Sequence, residues 1–500
     1  MEIGFENKTV SSYIETAHLY RRIQESAESV VPDVNKDIGK IVSTETTVML
    51  KAKELSSRGI SVSGELSASV LYIDESESRI SHVNLTKSFT MDFENADTED
   101  ELLTQVKLQV VNCEARALNP RKLSVSFDLS GELSCYRQVQ TELDTMIAAE
   151  QAQGIHLKYE SCEIMMANAV CEKSFAISEQ LIFPSGKPVP SQLICQNAEF
   201  IVTDTQLIGS KVIIKGNANI SVRCASEEIC YPVCADFSVP FSQIVETGKE
   251  QMDGCSAIIQ PSSAYYRLVD TINGEKAIDS EIHAVIQLVS RCKQPVRYIS
   301  DVYCNLMPVE STMRLRQFKE LTEPQRIRFM TEEHVSIAED CSDVLCVFPG
   351  ISKLDVSQGK LSAAVQLDIV YTNSNGSLAA AHRVLETETE YTGKLSRIDY
   401  TRISDINLKP DGKLIECRIS IEASCREQKD IEFSSLSALE LREEEAYDCT
   451  LFPSLSLVRV ENETLWELAK AYHSSIESIA AMNTDIEQLH GKLLLIPKSV

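Results

Sequence analysis

The sequence predicts a mainly β chain: three repeated antiparallel sheet or sandwich modules followed by a small strand, helix, helix, strand unit. Three observations predict it. Between about residues 32 and 445 the dominant hydrophobic period is two, the alternation of a half-buried strand. Two strand patterns recur three times at wide spacing, and such repeats decide architecture. The last forty residues switch to helical spacing with two marked helix starts.

In chain order, residues 1–31 come first. Tyr13, Ala17, Tyr20 and Ile23 fall at three- and four-residue intervals, which predicts an amphipathic helix over Thr9 to Val30, ended by Pro32. The first recurring strand reads ISVSGELSASVLYID (Ile60 to Asp74), VIIKGNANISVRCAS (Val212 to Ser226) and KLSAAVQLDIVYTNS (Lys360 to Ser374). Val70 and Tyr72 correspond to Val222 and Cys224, then to Ile369 and Tyr371. The second reads KLSVSFDLSGELSCYRQ (Lys122 to Gln138), SEIHAVIQLVSRCKQ (Ser280 to Gln294) and LIECRISIEASCREQ (Leu414 to Gln428). Less regular edge strands are expected at Val83 to Phe93, Pro232 to Phe241 and Val384 to Tyr391, with turns at Asn119-Pro120, Asn273-Gly274, Asn375-Gly376 and Asp411-Gly412. The modules so delimited are 32–140, 190–295 and 340–430, each a two-layer antiparallel sheet. Of the segments between them, Glu142 to Ala152 has helical spacing and Tyr298 to Leu315 gives no clear pattern.

In the C-terminal unit, 455–500, Val458 and Val460 alternate as a strand, and Leu465, Leu468, Ala469 and Tyr472 share a helical face. Thr464 with Glu467, and Ser474 with Glu477, place a hydroxyl three residues before a carboxylate, the signature of a capped helix start. Asn483 can end the second helix by adopting the left-handed conformation, and Lys492 to Ile496 supplies a strand closed by Pro497.

Composition narrows the function classes. At 500 residues the chain holds several domains. A formal charge of -26 argues against nucleic acid, whose affinity comes from Lys and Arg neutralising phosphates. No apolar run reaches the length of a membrane span, and the N-terminal segment lacks the basic-then-apolar order of a secretory signal. The expectation is a protein kept inside the cell. Its 16 cysteines form no C-x-x-C pair, so metal binding is not expected, and those in alternating apolar runs (Cys135, Cys224, Cys292, Cys417, Cys425) read as small buried hydrophobes. There is no Gly-rich phosphate loop, G-x-S-x-G or H-E-x-x-H, the 8 histidines are scattered, and acidic runs such as Glu443-Glu444-Glu445 read as solvated charge. No catalytic residue and no cofactor is expected, and the chain is read as a non-enzyme.

The phrase Thr464-Leu465-Trp466-Glu467-Leu468-Ala469, with Met482-Asn483 and Leu495-Ile496-Pro497, resembles a LysM domain. It departs from that family where Asn462-Glu463 stands for the usual Gly-Asp. The threefold module followed by this unit resembles SPOCS domain repeats and the SipL family of spore-coat morphogenetic proteins. The resemblance implies a scaffold made in the mother cell, settled on the forespore surface, whose LysM unit binds the coat basement-layer ATPase SpoIVA, with other coat proteins as further partners and self-association left open. The binding residues it implies are Asn462, Glu463, Thr464, Leu465, Trp466, Asn483, Asp485 and Ile486. Trp466, the only tryptophan, is either an aromatic anchor for the partner or part of a small core. The alternative function is a glycan binder of peptidoglycan or chitin type at the cell wall or spore cortex.

Overall fold

A computed structural model describes residues 5–56, 59–76, 78–94, 102–147, 154–357, 359–393, 395–448, 451–484, 486 and 489–498. The described chain is built almost wholly of antiparallel strands. The first module holds β1 (Phe5–Val30), β2 (Ile38–Ser56), β3 (Gly59–Asp74), β4 (Ile80–Glu94), β5 (Leu103–Asn119) and β6 (Lys122–Ile147). The second holds β7 (Ile155–Ile182), β8 (Pro190–Ile208), β9 (Lys211–Ser226), β10 (Val233–Glu246), β11 (Gly254–Asp270) and β12 (Lys276–Cys304). The third holds β13 (Val309–Leu321), β14 (Gln325–Ser336), β15 (Cys341–Ser357), β16 (Lys360–Asn373), β17 (Leu378–Glu390), β18 (Leu395–Asp411) and β19 (Leu414–Leu441).

One topology is used three times. A three-stranded sheet (β2-β3-β4, β8-β9-β10, β15-β16-β17) covers a second sheet in which the last strand of the module lies between the first and the fifth (β1-β6-β5, β7-β12-β11, β14-β19-β18). In the third module the opening strand is divided, β13 and β14 lying end to end along β19. Each pair of sheets encloses its own apolar core. Alternation builds it: Val62, Leu66, Ala68, Val70 and Tyr72 point inward from β3, as do Val212, Ile214, Ala218, Ile220, Val222 and Cys224 from β9, and Leu361, Ala363, Val365, Leu367, Ile369 and Tyr371 from β16. Tyr72, Cys224 and Tyr371 each lie at the same β-bulge of the preceding strand.

Of residues 1–31, expected as a helix, Phe5–Val30 form strand β1 instead; 1–4 lie outside the described residues. Ala17, Leu19, Ile23 and Ala27 face the core, but Arg21, Glu25 and Ser29 share that face. Polar residues at inward positions break the apolar period of two, and Tyr20 points outward. A bulge at Thr16, between Glu15 and Ala17, also reverses the phase. The modules therefore begin earlier than 32, 190 and 340, with β1, β7 and β13. Glu142 to Ile147, expected as helix, belongs to β6; 148–152 lies outside the described residues. The unread Tyr298 to Leu315 contains the end of β12 and the start of β13.

The modules also bind one another. Gln287 is 1% exposed and pairs with the backbone of β5 as a strand would. Its Nε2 donates to the Val106 carbonyl at 2.7 Å, and its Oε1 accepts from the Val106 N–H at 2.8 Å. Arg397 reaches from the third module to Glu15 (2.7 Å) and Ser134 (2.8 Å) in the first. Between the second and third, Tyr298 stacks on Phe433 with centroids 4.2 Å apart. The three small sheets meet at a shared cluster including Leu71, Ile73, Ile194, Cys346 and Val370.

Equivalent core positions trade volume. Gly64 faces Phe89 and Gly216 faces Phe241, whereas the third module pairs Ala363 with Thr387. A Cβ on Gly216 would lie 2.6 Å from the Phe241 ring and 2.2 Å from the Ile201 carbonyl oxygen. Gly216→Ala is therefore expected to cost about 1–3 kcal/mol by overpacking, part of it recovered by adding Phe241→Leu. Urea denaturation measures both; a Gly216→Ala protein as stable as the parent contradicts the packing account.

Candidate partner-binding site

The C-terminal unit consists of β20 (Leu455–Arg459), α1 (Leu465–Ala471), α2 (Ile476–Met482) and β21 (Leu493–Pro497), with β20 and β21 paired antiparallel. Val460, Leu468, Ala469, Ile479, Leu494 and Ile496 form its core. The Thr464 capping box is present: Thr464 Oγ1 accepts from the Glu467 N–H, and Glu467 accepts from the Thr464 N–H at 2.7 Å, a device worth about 1 kcal/mol. The second helix starts one residue later than expected. Ser475 caps it through the Ser478 N–H (3.1 Å), while Ser474 donates to the Pro497 carbonyl. Asn483 ends α2 in an extended conformation (φ -124°), not a left-handed one. Its side chain instead bridges elements, donating to Ile479 O and Leu495 O and accepting from the Leu495 N–H.

The expected binding residues separate into three groups. Asn462, Glu463 and Thr464 are exposed in the loop before α1. That loop is closed on itself: the Glu463 carboxylate accepts from the N–H groups of Glu461 (2.9 Å) and Asn462 (3.1 Å). These and its own N–H hold its carboxyl below the ordinary range. Leu465, Asn483 and Ile486 are half-buried, and Asp485 lies outside the described residues.

Trp466 is turned inward, 9% exposed, so the outward anchor gives way to the core alternative. Its indole N–H donates to Asp301 Oδ2 at 2.8 Å, and its ring meets Tyr303 edge-on at 4.9 Å. Lys470 donates to both oxygens of Asp301 (2.7 and 2.9 Å), and the Tyr303 hydroxyl donates to the Ser474 carbonyl at 2.8 Å. His156 stacks on the far face of this clamp, 4.8 Å from Tyr303. The unit is thus held on the end of β12 by the side chain expected to hold a partner.

What remains outside is an apolar face that the motif did not single out. Leu457 and Leu493 are 63% and 62% exposed, Leu455 is 44% exposed, and Leu495 lies directly across from Leu457. The signal was present in the sequence: Leu455 and Leu457 alternate in phase opposite to Val458 and Val460, so the strand is apolar on both faces. A contiguous apolar face on a two-stranded ribbon is the kind of surface that marks a protein contact.

Burial pushes the Cys224 thiol up to about 12 and those of Cys417 and Cys425 up to about 11, away from the nucleophilic thiolate. Among the described residues no group of three or more His, Cys, Asp or Glu is placed to hold a metal ion. Among the same residues no helix is long and apolar enough to cross a membrane.

The clamp has a pH signature. Burial opposes ionisation of Asp301, but hydrogen bonds from Lys470, Trp466 and the Val302 N–H hold its carboxyl below the ordinary 3.8. A depressed folded value means that stabilisation is complete above 3.8 and is lost as pH falls through the folded value. Because Trp466 is the only tryptophan, its fluorescence reports this contact alone. Asp301→Ala, removing on the order of 1 kcal/mol after solvent screening, is expected to red-shift the emission at pH 7, as acid does in the parent. Emission unchanged in the variant contradicts the clamp.

Residues 37–117 match the family model described as SipL, SPOCS domain, a span running from the start of β2 into β5. No curated protein and no solved structure matches the chain. That match supports a SipL-like family for the chain and suggests a sporulation-related protein.

Proposed function

We propose that this chain is a non-enzymatic scaffold of spore-coat assembly and encasement, made in the mother cell and docked on the forespore surface by its C-terminal unit. In this reading all three modules are SPOCS domains, and the terminal unit is a LysM domain that binds the basement-layer ATPase SpoIVA. The observation that carries it is the SPOCS match at 37–117, inside a six-strand unit whose topology recurs twice more before a strand, helix, helix, strand end. The modules form the carrier, and the acidic surface, with its charge of -26, suits a scaffold that selects protein partners over anionic polymers.

Two features of the terminal unit support a protein ligand over a glycan. The loop before α1 spends backbone donors on its own Glu463, and donors already paired are not offered to a sugar. The exposed ribbon of Leu455, Leu457 and Leu493 suits an apolar protein surface, where a few central side chains carry most of the affinity.

The test is capture by the full chain of purified SpoIVA, set beside retention on peptidoglycan and chitin. The parent is expected to retain the ATPase. Leu457→Asp is expected to lose about tenfold or more in affinity with Trp466 emission unchanged. Glycan retention without ATPase retention, or undiminished capture by Leu457→Asp, contradicts the proposal.

A further inference from the structure

The two-stranded ribbon of the terminal unit leaves one of its edges open. Antiparallel pairs alternate between those that exchange backbone hydrogen bonds and those that do not. At the ends of this ribbon the Lys498 N–H donates to the Ser454 carbonyl (3.1 Å) and the Val460 N–H to the Lys492 carbonyl (2.9 Å). In that phase Ser456 and Val458 bond across to Ile496 and Leu494, while Leu455, Leu457 and Arg459 turn their N–H and carbonyl groups outward. The edge of β21 has the same phase but is closed. Asn483 donates to the Leu495 carbonyl at 2.7 Å and accepts from the Leu495 N–H at 2.8 Å. Among the described residues nothing does this for Leu455, Leu457 or Arg459.

The side chains of the same three residues define what this edge accepts. They share one face by alternation, and both leucines are exposed on it. Arg459 is exposed as well, and among the described residues it has no hydrogen bond and no ion pair. Across the ribbon from it stands Leu493, not a carboxylate. In a chain with 74 Asp and Glu against 48 Lys and Arg, this cation is left for an acidic residue from outside. A second copy of the chain does not supply one. Antiparallel self-pairing about Leu457 would set each Arg459 against the Leu455 of its mate and bring two strongly acidic bodies together. A partner lying only on the leucine side chains would leave the edge donors and acceptors bare, and burying them unpaired is costly. A strand laid along the edge satisfies both.

We propose that β20 receives an extended segment of the partner protein as a third strand, with apolar side chains at alternate positions against the leucines and an Asp or Glu beside Arg459. This rests on the reading of the terminal unit as a protein-binding device and adds how the partner is held. Backbone pairing supplies affinity, and the leucines and Arg459 select an apolar segment that carries an acid.

Hydrogen exchange of the full chain, resolved to single amides by electron-transfer fragmentation, tests it with two probes. One is the purified basement-layer ATPase; the other is a synthetic peptide alternating valine and threonine with one central glutamate. In the free chain Ser456 and Val458 are expected to exchange slowly and Leu457 and Arg459 fast, and each probe is expected to slow the latter two. Replacing the peptide glutamate by lysine is expected to weaken binding about fivefold. Arg459→Ala is expected to weaken both probes about threefold, and Arg459→Lys to restore most of the loss. A full chain ligated at Cys449 to a synthetic segment with N-methyl-leucine at position 457 keeps the side chain, removes the edge donor and obstructs the incoming strand. It is expected to lose about tenfold or more, with Trp466 emission unchanged. ATPase capture with Leu457 and Arg459 still fast overturns the edge and leaves the proposed function standing. Peptide pairing without ATPase capture upholds the edge and overturns the proposed partner. Undiminished binding by the N-methyl chain, self-association of Arg459→Ala in place of weakened binding, or no slowing by either probe overturns the proposal.

Discussion

The register of the middle strand in each small sheet is the constraint from which the rest follows. β3, β9 and β16 lie between two partners and direct every second side chain into a module core. Near their C-terminal ends the outward positions are covered as well: Leu71 and Ile73 in the first module and Val370 in the third enter the cluster shared by all three. Fully burying a side chain of that size is worth about 1.5–3 kcal/mol. A slip of one residue would turn the whole inward row to the outside. The same stretch thus sets the packing within a module and the assembly between modules.

Much of this was legible because the repeat is written in the middle strand. Tyr72, Cys224 and Tyr371 correspond by sequence and stand at equivalent bulges. The opening strand of each module was not legible. β1 carries Arg21, Glu25 and Ser29 on its inner face, the side chain of Glu25 lying 3.6 Å from Lys87, and a bulge flips its phase, so no stretch long enough shows a clean period. The closing strands β6, β12 and β19 run on past the module cores as two-stranded ribbons. Those of β12 and β19 bury residues such as Ile299, Val302, Leu436 and Leu439 in a cluster formed between modules, which no single repeat reveals.

The terminal unit shows the same division. Its capping box could be read from Thr464 and Glu467 because the mechanism is local. The destination of Trp466 could not, because Asp301 and Tyr303, 165 and 163 positions earlier, decide it. The phrase around Trp466 serves attachment to the end of β12, and the face carrying Leu455, Leu457 and Leu493 stays exposed. In the proposed function, attachment and recognition therefore fall on different faces of this unit. The cavity where the modules converge, lined by residues of all three, is a second property of the assembly that no single repeat contains.

The central claim is that three copies of one unit fold into a single carrier joined at a common centre. Hydrogen exchange of the full chain, followed by mass spectrometry under increasing urea, tests it most directly. The amides of Gly59–Asp74, Lys211–Ser226 and Lys360–Asn373 are expected to be the slowest and to lose protection together at one midpoint. Three separate midpoints, or rapid exchange in any one of the middle strands, would contradict it.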